Sequence, residues 1–259
     1  MNSQHRPPAR LYRRDLQIRQ QQPEWMDEPQ LDAALHHQAL AGLRRVHWWS
    51  GTEGALWGAM SGALHAAAAG GSGLKILDLA SGGGDLALGI AARCQRQGLR
   101  AVVHGCDISA TAVARAQRLA VERGLANVRF FQLDVITDAY PEAHYDVVMN
   151  SLFLHHLSAA QIIAVLSRMR AAADLVVADD LLRTVRGYWL AWIGCRILSR
   201  SPVVHFDGPV SVEAALTRDE ILALAGRAGL AGVQFRRHWP ERFLLTCRTR
   251  TTDAGGCQP

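Results

Sequence analysis

From Lys75 to Arg248, short apolar runs alternate with stretches of helical periodicity, and this alternation constrains the fold more than any other feature of the chain. The first runs are Lys75 to Ala80 (KILDLA), Ala101 to Asp107 (AVVHGCD), Val128 to Asp134, Tyr145 to Asn150 (YDVVMN) and Leu175 to Asp179 (LVVAD). Short apolar runs of this kind suit strands covered on both faces. Between and after them, Asp85 to Gln97, Ser109 to Arg123, Ser158 to Ala172 and Val185 to Ser199 read as helices. Ser109 and Ser158 stand at N-cap positions. Thr217 to Ala228 reads as another helix, and its opening TRDE fits a capping box. Strands that alternate with helices build a parallel sheet with helices on both faces. The last two runs, Val233 to Trp239 and Arg242 to Arg248, are separated only by Pro240-Glu241. That gap is too short for a crossover, so the pair is antiparallel and lies at the sheet edge. The expected fold is α/β: a doubly wound, seven-stranded, mostly parallel sheet with an antiparallel edge pair.

Two apolar stretches precede the first strand. Leu31, Leu35, Ala39, Leu43 and Val46 recur at helical spacing, with Pro29 and Asp32 near the entry. Ala55 to Ala69 forms the second and ends in Gly70-Gly71-Ser72-Gly73, a turn. The expected boundaries are a flexible basic arm over 1–23, a helical segment over 24–72, the sheet domain over 73–250 and a flexible tail over 251–259. Ser199 to Ala214 interrupts the alternation and reads as a loop with a turn at Asp207-Gly208-Pro209.

The formal net charge of +5 invites a nucleic-acid reading, but residues 1–22 alone carry five Arg and one Asp. The rest of the chain is close to neutral and shows no basic stripe with interleaved aromatics, so no nucleic-acid partner is expected. No apolar run reaches the roughly 18 residues that span a bilayer. The longest, Tyr188 to Leu198, is broken by Gly194 and Arg196. No apolar segment follows the basic N-terminus as in a secretory signal, so a cytoplasmic protein is expected. The 5 Cys are widely spaced and read as small buried hydrophobes.

The stretch DLASGGGD, Asp78 to Asp85, follows a strand and opens a helix. Gly82 and Gly84 allow a sharp turn and a close approach of ligand to backbone. The helix that follows turns its unpaired N–H groups towards that ligand. Asp107 ends the next strand, where a carboxylate can accept both hydroxyls of a ribose. Asp134 ends the third strand, in reach of an adenine amino group. No GK[ST] follows, so this is not a P-loop. Asp85 at the helix N-terminus would repel a pyrophosphate but tolerate a sulfonium and an amino acid. An adenosyl-sulfonium cofactor therefore fits better than NAD. An NAD-dependent reductase would also need a Tyr–Lys pair, and the sole Lys, Lys75, precedes the first strand.

These segments resemble the class I S-adenosylmethionine (SAM)-dependent methyltransferases, and within them the small-molecule enzymes of the quinone-biosynthesis type. The family's glycine motif matches Asp78, Ala80, Ser81, Gly82 and Gly84, with Ala80 in place of the first glycine. Its ribose acid falls on Asp107, with Ile108 under the adenine. Its adenine-edge acid falls on Asp134, with Val135 beside it. Its fourth-strand segment matches Tyr145 to Ser158 (YDVVMNSLFLHHLS), which brings Asn150 and Leu152 to the cofactor. The resemblance covers about residues 70–250. It implies SAM as cofactor and makes the two N-terminal helices a lid over the acceptor. Asn150-Ser151-Leu152-Phe153 departs from the NPPY-type tetrad of amide and adenine N-methyltransferases.

Methyl transfer needs an acceptor held in line with the donor and often a base for a hydroxyl. His155 and His156 follow the fourth strand, Asp179 and Asp180 end the fifth, and Arg183 could pair with them. His205 with Asp207 could form a base and its orienter. The lid offers His36, His37, His47, Trp48, Trp49 and Trp57. The catalytic candidates are therefore His155, His156, His205 and Asp180; no metal-ligand pattern is read. Trp48-Trp49 with Trp189 and Trp192 points to an aromatic or apolar acceptor, such as a phenolic, quinone-precursor or polyketide hydroxyl or ring carbon, and the nearby basic residues allow peripheral membrane contact. The alternatives are a non-catalytic SAM-binding sensor or partner subunit and an RNA or protein methyltransferase.

Overall fold

A computed structural model describes residues 16–27, 32, 35, 38–39, 42, 45–46, 49–71 and 73–249. Seven strands form one sheet: β1 (Leu74–Leu79), β2 (Ala101–Asp107), β3 (Val128–Gln132), β4 (Tyr145–Ser151), β5 (Ala173–Leu181), β6 (Gln234–His238) and β7 (Arg242–Arg248). Their order is β3-β2-β1-β4-β5-β7-β6. The first five strands pair in parallel; β7 runs antiparallel to both β5 and β6. The expected seven-stranded sheet and its antiparallel edge are both present.

Strands β1, β2, β4, β5 and β7 are largely apolar because both faces are covered, whereas the edge strand β6 is mostly exposed. Neighbouring residues go to opposite sides, as the twofold period of a strand requires. Leu77, Val148, Val176 and Leu245 pack on one face, with Ile162 and Leu166 of α4 (Ala159–Ala172) and Ile221 of α7 (Arg218–Arg227). Ile76, Val147, Val177 and Leu244 pack on the other. There they meet Leu56 and Met60 of α1 (Thr52–Ala69), Leu88 of α2 (Asp85–Arg96) and Val113 of α3 (Ala110–Glu122). The three expected caps form. Ser109 Oγ accepts from Ala112 N–H, and Ser158 and Thr217 each close a capping box.

Three expectations change. Ser199 to Ala214 is not a loop: after α5 (Val185–Leu198), residues Pro202–Ala214 form a helix, α6. Pro202 stands in its first turn, where a missing N–H costs nothing. Gly208 lets α6 close on α5, since a Cβ there would meet Cys195 Sγ at 2.4 Å. The buried Val203, Val204, Val210 and Val212 hold the helix despite Pro209 within it. The second change concerns the arm, whose described part is bound to the domain. Gln20 N–H donates to Glu213 O, and the Arg19 and Gln21 side chains donate to carbonyls of α6 and of residues 154–157. Third, Arg183 does not meet Asp179 or Asp180. It is buried and donates to Glu220 at 2.5 Å, to Ala215 O and to Leu16 O.

The described positions at 35, 38, 39, 42, 45, 46, 49 and 50 are helical. His36, His37, His47 and Trp48 of the expected lid lie outside the described residues, as do residues 1–15 of the arm and the tail.

Candidate active site

The glycine loop sits at the carboxyl end of β1. Gly84 N–H bonds to Ser81 O at 2.9 Å, and Ser81 N–H to Cys106 O at 2.9 Å. Ala80, Gly82 and Gly84 have φ of 52°, 53° and 80°. In the left-handed region a Cβ costs of order 1 kcal/mol, so Ala80 carries strain that a glycine would avoid. Gly84 is fixed by packing, because a Cβ would meet Ala116 Cβ at 2.6 Å and the Phe130 ring at 2.8 Å. At Gly82 a Cβ would meet nothing within 4 Å. One glycine serves the fold; the other opens onto the cavity.

Asp107 anchors the loop from β2. Its Oδ2 accepts from Gly82 N–H at 2.8 Å and its Oδ1 from Ser109 N–H at 2.9 Å. A carboxylate has lone pairs for two further donors. Beside it Ile108 is 70% exposed, an apolar shelf at the strand end. Asp134 and Val135 follow β3; Asp134 Oδ1 accepts from Ile136 N–H at 2.8 Å, and Val135 is buried in the core. Asn150 is wholly buried and donates to Met169 Sδ, so it supports β4 rather than facing the cavity. Leu152 reaches the cavity wall with φ 53°, another strained non-glycine backbone.

The expected repulsion by Asp85 weakens here. Arg115 and Arg123 each approach its carboxylate to 3.5 Å. The buried acid beside the loop is Asp78. This carboxyl is 1% exposed, and its Oδ2 has no hydrogen-bond partner among the described groups. Burial, and next the charge of Asp107, push its pKa up to about 8. Ser81 Oγ is similarly buried without a partner. Orphaned polar atoms beside a glycine with open space are what a bound amino acid and its charge would satisfy. The residues present therefore fit SAM.

From Asp78, Ser81 and Gly82 a cavity of about 740 Å³ runs across the ends of β4 and β5. Its far end is polar. His155 and His156 stand on a 3-10 turn, Leu154–His156. His155 Nδ1 lies 2.7 Å from Asp180 Oδ1, and its backbone N–H donates to Asp180 Oδ2. His155 Nε2 faces Glu24 Oε1 at 3.6 Å. Burial alone would lower the His155 pKa, but the Asp180 and Glu24 carboxylates outweigh it and raise it to about 9. His156 is exposed, its ring 4.1 Å from that of His155. Leu190, Ala191, Leu198 and Val204, from α5 and α6, make the opposite wall apolar.

His205 is not part of this array. It lies within α6, off the cavity wall, with Nε2 2.7 Å from Ser199 O. Asp207 does not orient it: its carboxylate accepts from the Trp25 and Met26 N–H groups and so holds the 3-10 turn Trp25–Asp27. Trp57 is a core residue, buried beside Arg93. Trp49, Trp189 and Trp239 are exposed, and Trp49 meets Trp239 edge-on at 4.7 Å. Two groups have no local sequence signal. Glu24 reaches the site from the N-terminal segment. Arg242 lines the cavity from β7, bonding Thr52 Oγ1 at 2.6 Å and pairing with Asp179.

Sheet order, glycine loop and acidic strand ends define a Rossmann-like methyltransferase fold. Residues 76–174 match the family described as a methyltransferase domain. The chain is 34% identical over 80 residues to the aklanonic acid methyltransferase DauC of Streptomyces sp. (strain C5), covering 31% of this chain and 35% of that one. The match thus spans about a third of that relative. Its fold resembles magnesium protoporphyrin IX methyltransferase from Synechocystis PCC 6803, solved with bound S-adenosylhomocysteine (TM-score 0.53, 19% identity, covering 85% of this chain and 88% of that one). It also resembles a SAM-dependent methyltransferase from Aquifex aeolicus (TM-score 0.51, 18% identity, covering 68% and 82%). Residues 76–174 thus match a methyltransferase domain, and the fold around them is the Rossmann-like fold of SAM-dependent methyltransferases.

Proposed function

We propose that this protein moves a methyl group from SAM to a small aromatic or polyketide acceptor, at a hydroxyl or at a ring carbon. The observation that carries the reading is one continuous cavity that joins the glycine loop to a histidine–carboxylate array under an apolar wall. Bound SAM supplies the electrophilic methyl. Asp107 would take the ribose hydroxyls, Ile108 and Val135 would flank the adenine, Asp134 would meet its amino edge, and Asp78 would counter the cationic amino acid end. The walls of α5 and α6 would hold the flat apolar acceptor and exclude water. The hydroxyl proton would pass to the Glu24 carboxylate or the His156 ring, while Asp180 fixes His155 beside them. The likeness to a methyltransferase named for aklanonic acid supports a polyketide acceptor.

The test is calorimetric titration with S-adenosylhomocysteine, with NADH as control, followed by a screen of phenolic, quinone-precursor and polyketide acceptors with labelled SAM. Binding of S-adenosylhomocysteine alone, weakened by about 1.5–3 kcal/mol in Asp107→Ala, is expected, the scale of lost hydrogen bonds to a charged group. Unchanged affinity in the variant would remove the ribose assignment. Binding without turnover on any acceptor would favour a SAM-binding sensor.

A further inference from the structure

We infer that Glu24, His155 and His156 form a site for a divalent transition-metal ion at the acceptor end of the cavity. Each offers one ligand atom, and these atoms all lie within 4.8 Å of one another. Ligands bonded to one zinc-like ion at about 2.1 Å stand about 3.0–3.4 Å apart, so closure needs side-chain movements of about 1 Å. His156, the exposed member, is the one whose displacement disturbs the core least. Two imidazoles and one carboxylate form the donor set of open zinc and iron(II) sites, not of magnesium or calcium sites.

A second observation separates this array from a chance cluster: its supporting contacts are those of a metal site. Asp180 occupies His155 Nδ1 at 2.7 Å, which leaves Nε2 as the ring atom aimed at Glu24. A carboxylate behind a ligating histidine fixes the ring and raises its basicity. Ser211 Oγ donates to Glu24 Oε1 at 2.5 Å and so orients the third ligand. The Asp180 carboxylate is further held by the N–H groups of His155 and Leu181. All three ligands line the cavity, so the open coordination positions face it. An acceptor oxygen or water would complete the set, and an ion held there would acidify that oxygen in place of proton acceptance by Glu24 or His156. Glu24 also gains a reason to reach into the cavity, since its segment is held there by Asp207 under Trp25 and Met26. The site rests on this geometry and does not depend on the methyl-transfer reading.

The experiment uses the untagged full chain, stripped with a chelator, desalted and titrated with Co(II) and with Zn(II). One equivalent of Co(II) is expected to bind with the visible absorption of a nitrogen–oxygen site and without a sulfur charge-transfer band. His156→Ala, at an exposed position, and Glu24→Gln are each expected to weaken binding by about tenfold or more. S-adenosylhomocysteine binding, measured on the same samples, reports that each variant is folded and keeps its cofactor site. Failure of that binding in the wild type would count against the methyl-transfer reading alone. Absence of stoichiometric metal binding, a sulfur band, or wild-type affinity in both variants would overturn the metal site and leave His155 as an ion pair between two carboxylates.

Discussion

The guanidinium of Arg242, on β7, rests against the carboxylate of Asp179, on β5, with side-chain exposures of 2% and 0%. The pair spans the one antiparallel junction between the parallel strands and the edge hairpin. Asp179 also receives Ser151 Oγ and faces His238 Nε2 at 2.6 Å. Removing one member of a buried pair leaves an uncompensated charge, which costs about 3–5 kcal/mol. Arg242→Met is therefore expected to lose stability on that scale in chemical denaturation. Arg242→Met with Asp179→Asn should recover much of it. A loss under about 1 kcal/mol in the single variant would show that His238 alone suffices.

Gly82 and Gly84 separate fold from function within one loop. Gly84→Ala forces a Cβ into Ala116 and Phe130 at φ 80° and is expected to cost about 2–4 kcal/mol of stability. Gly82→Ala meets open space at φ 53° and is expected to cost only about 1 kcal/mol. Its new methyl stands where the proposed cofactor lies, so S-adenosylhomocysteine affinity should fall about tenfold or more. Thermal melts and calorimetry on both variants check this. The same pattern of loss in both would show that the two glycines do one job.

Arg19 fastens the N-terminal segment across the site. It donates to Ala214 O at 2.6 Å, His155 O at 3.0 Å and Leu154 O at 3.3 Å, joining α6 to the turn that carries both histidines. Composition marks residues 1–23 as a flexible arm; in its described part these bonds hold residues 19–21 against the domain. Arg19→Ala is expected to lose about 1–3 kcal/mol, the value of hydrogen bonds to a charged group. For a chain of this size that is a fall in Tm of about 2–10 °C. Deleting residues 1–22 should do at least as much and should lower methyl transfer. A truncated chain that melts like the full one would show that the arm is passive.

The contrast between Arg19 and Asp107 shows what the sequence makes legible. Strands, caps and the glycine loop are local: Ser109, Ser158 and Thr217 act within three residues of themselves, and Asp107 follows from its place at a strand end. Partners distant in the chain carry no such pattern. Glu24 meets His155, and Arg242 meets Thr52 190 residues away, only because the sheet closes. Helix α6 is obscured for another reason. Pro202, Gly208 and Pro209 are loop-forming residues whose preference is overridden by four buried valines. His205 looks like a catalytic group by type alone, and the structure gives its ring to Ser199 O.

Asp78 gives a prediction whose sign follows from its pKa. Burial, then the neighbouring Asp107 charge, lift it from 3.8 to about 8. The folded state therefore favours the protonated form. Below about pH 4 the group is protonated folded or unfolded and costs nothing. As pH rises towards 8, the unfolded chain ionises while the folded one holds its proton, and stability is lost through that window. Asp78→Asn removes the penalty. It is expected to raise Tm more at pH 8 than at pH 5, with a gain of about 1–3 kcal/mol at the higher pH. The same variant should bind S-adenosylhomocysteine more weakly, because an amide, unlike a carboxyl that can release its proton on binding, cannot counter the ligand's cationic amino group. Melts at the two pH values and one titration test both halves. An equal change in Tm at both pH values would show that Asp78 is ionised throughout, with a partner that the described residues do not supply.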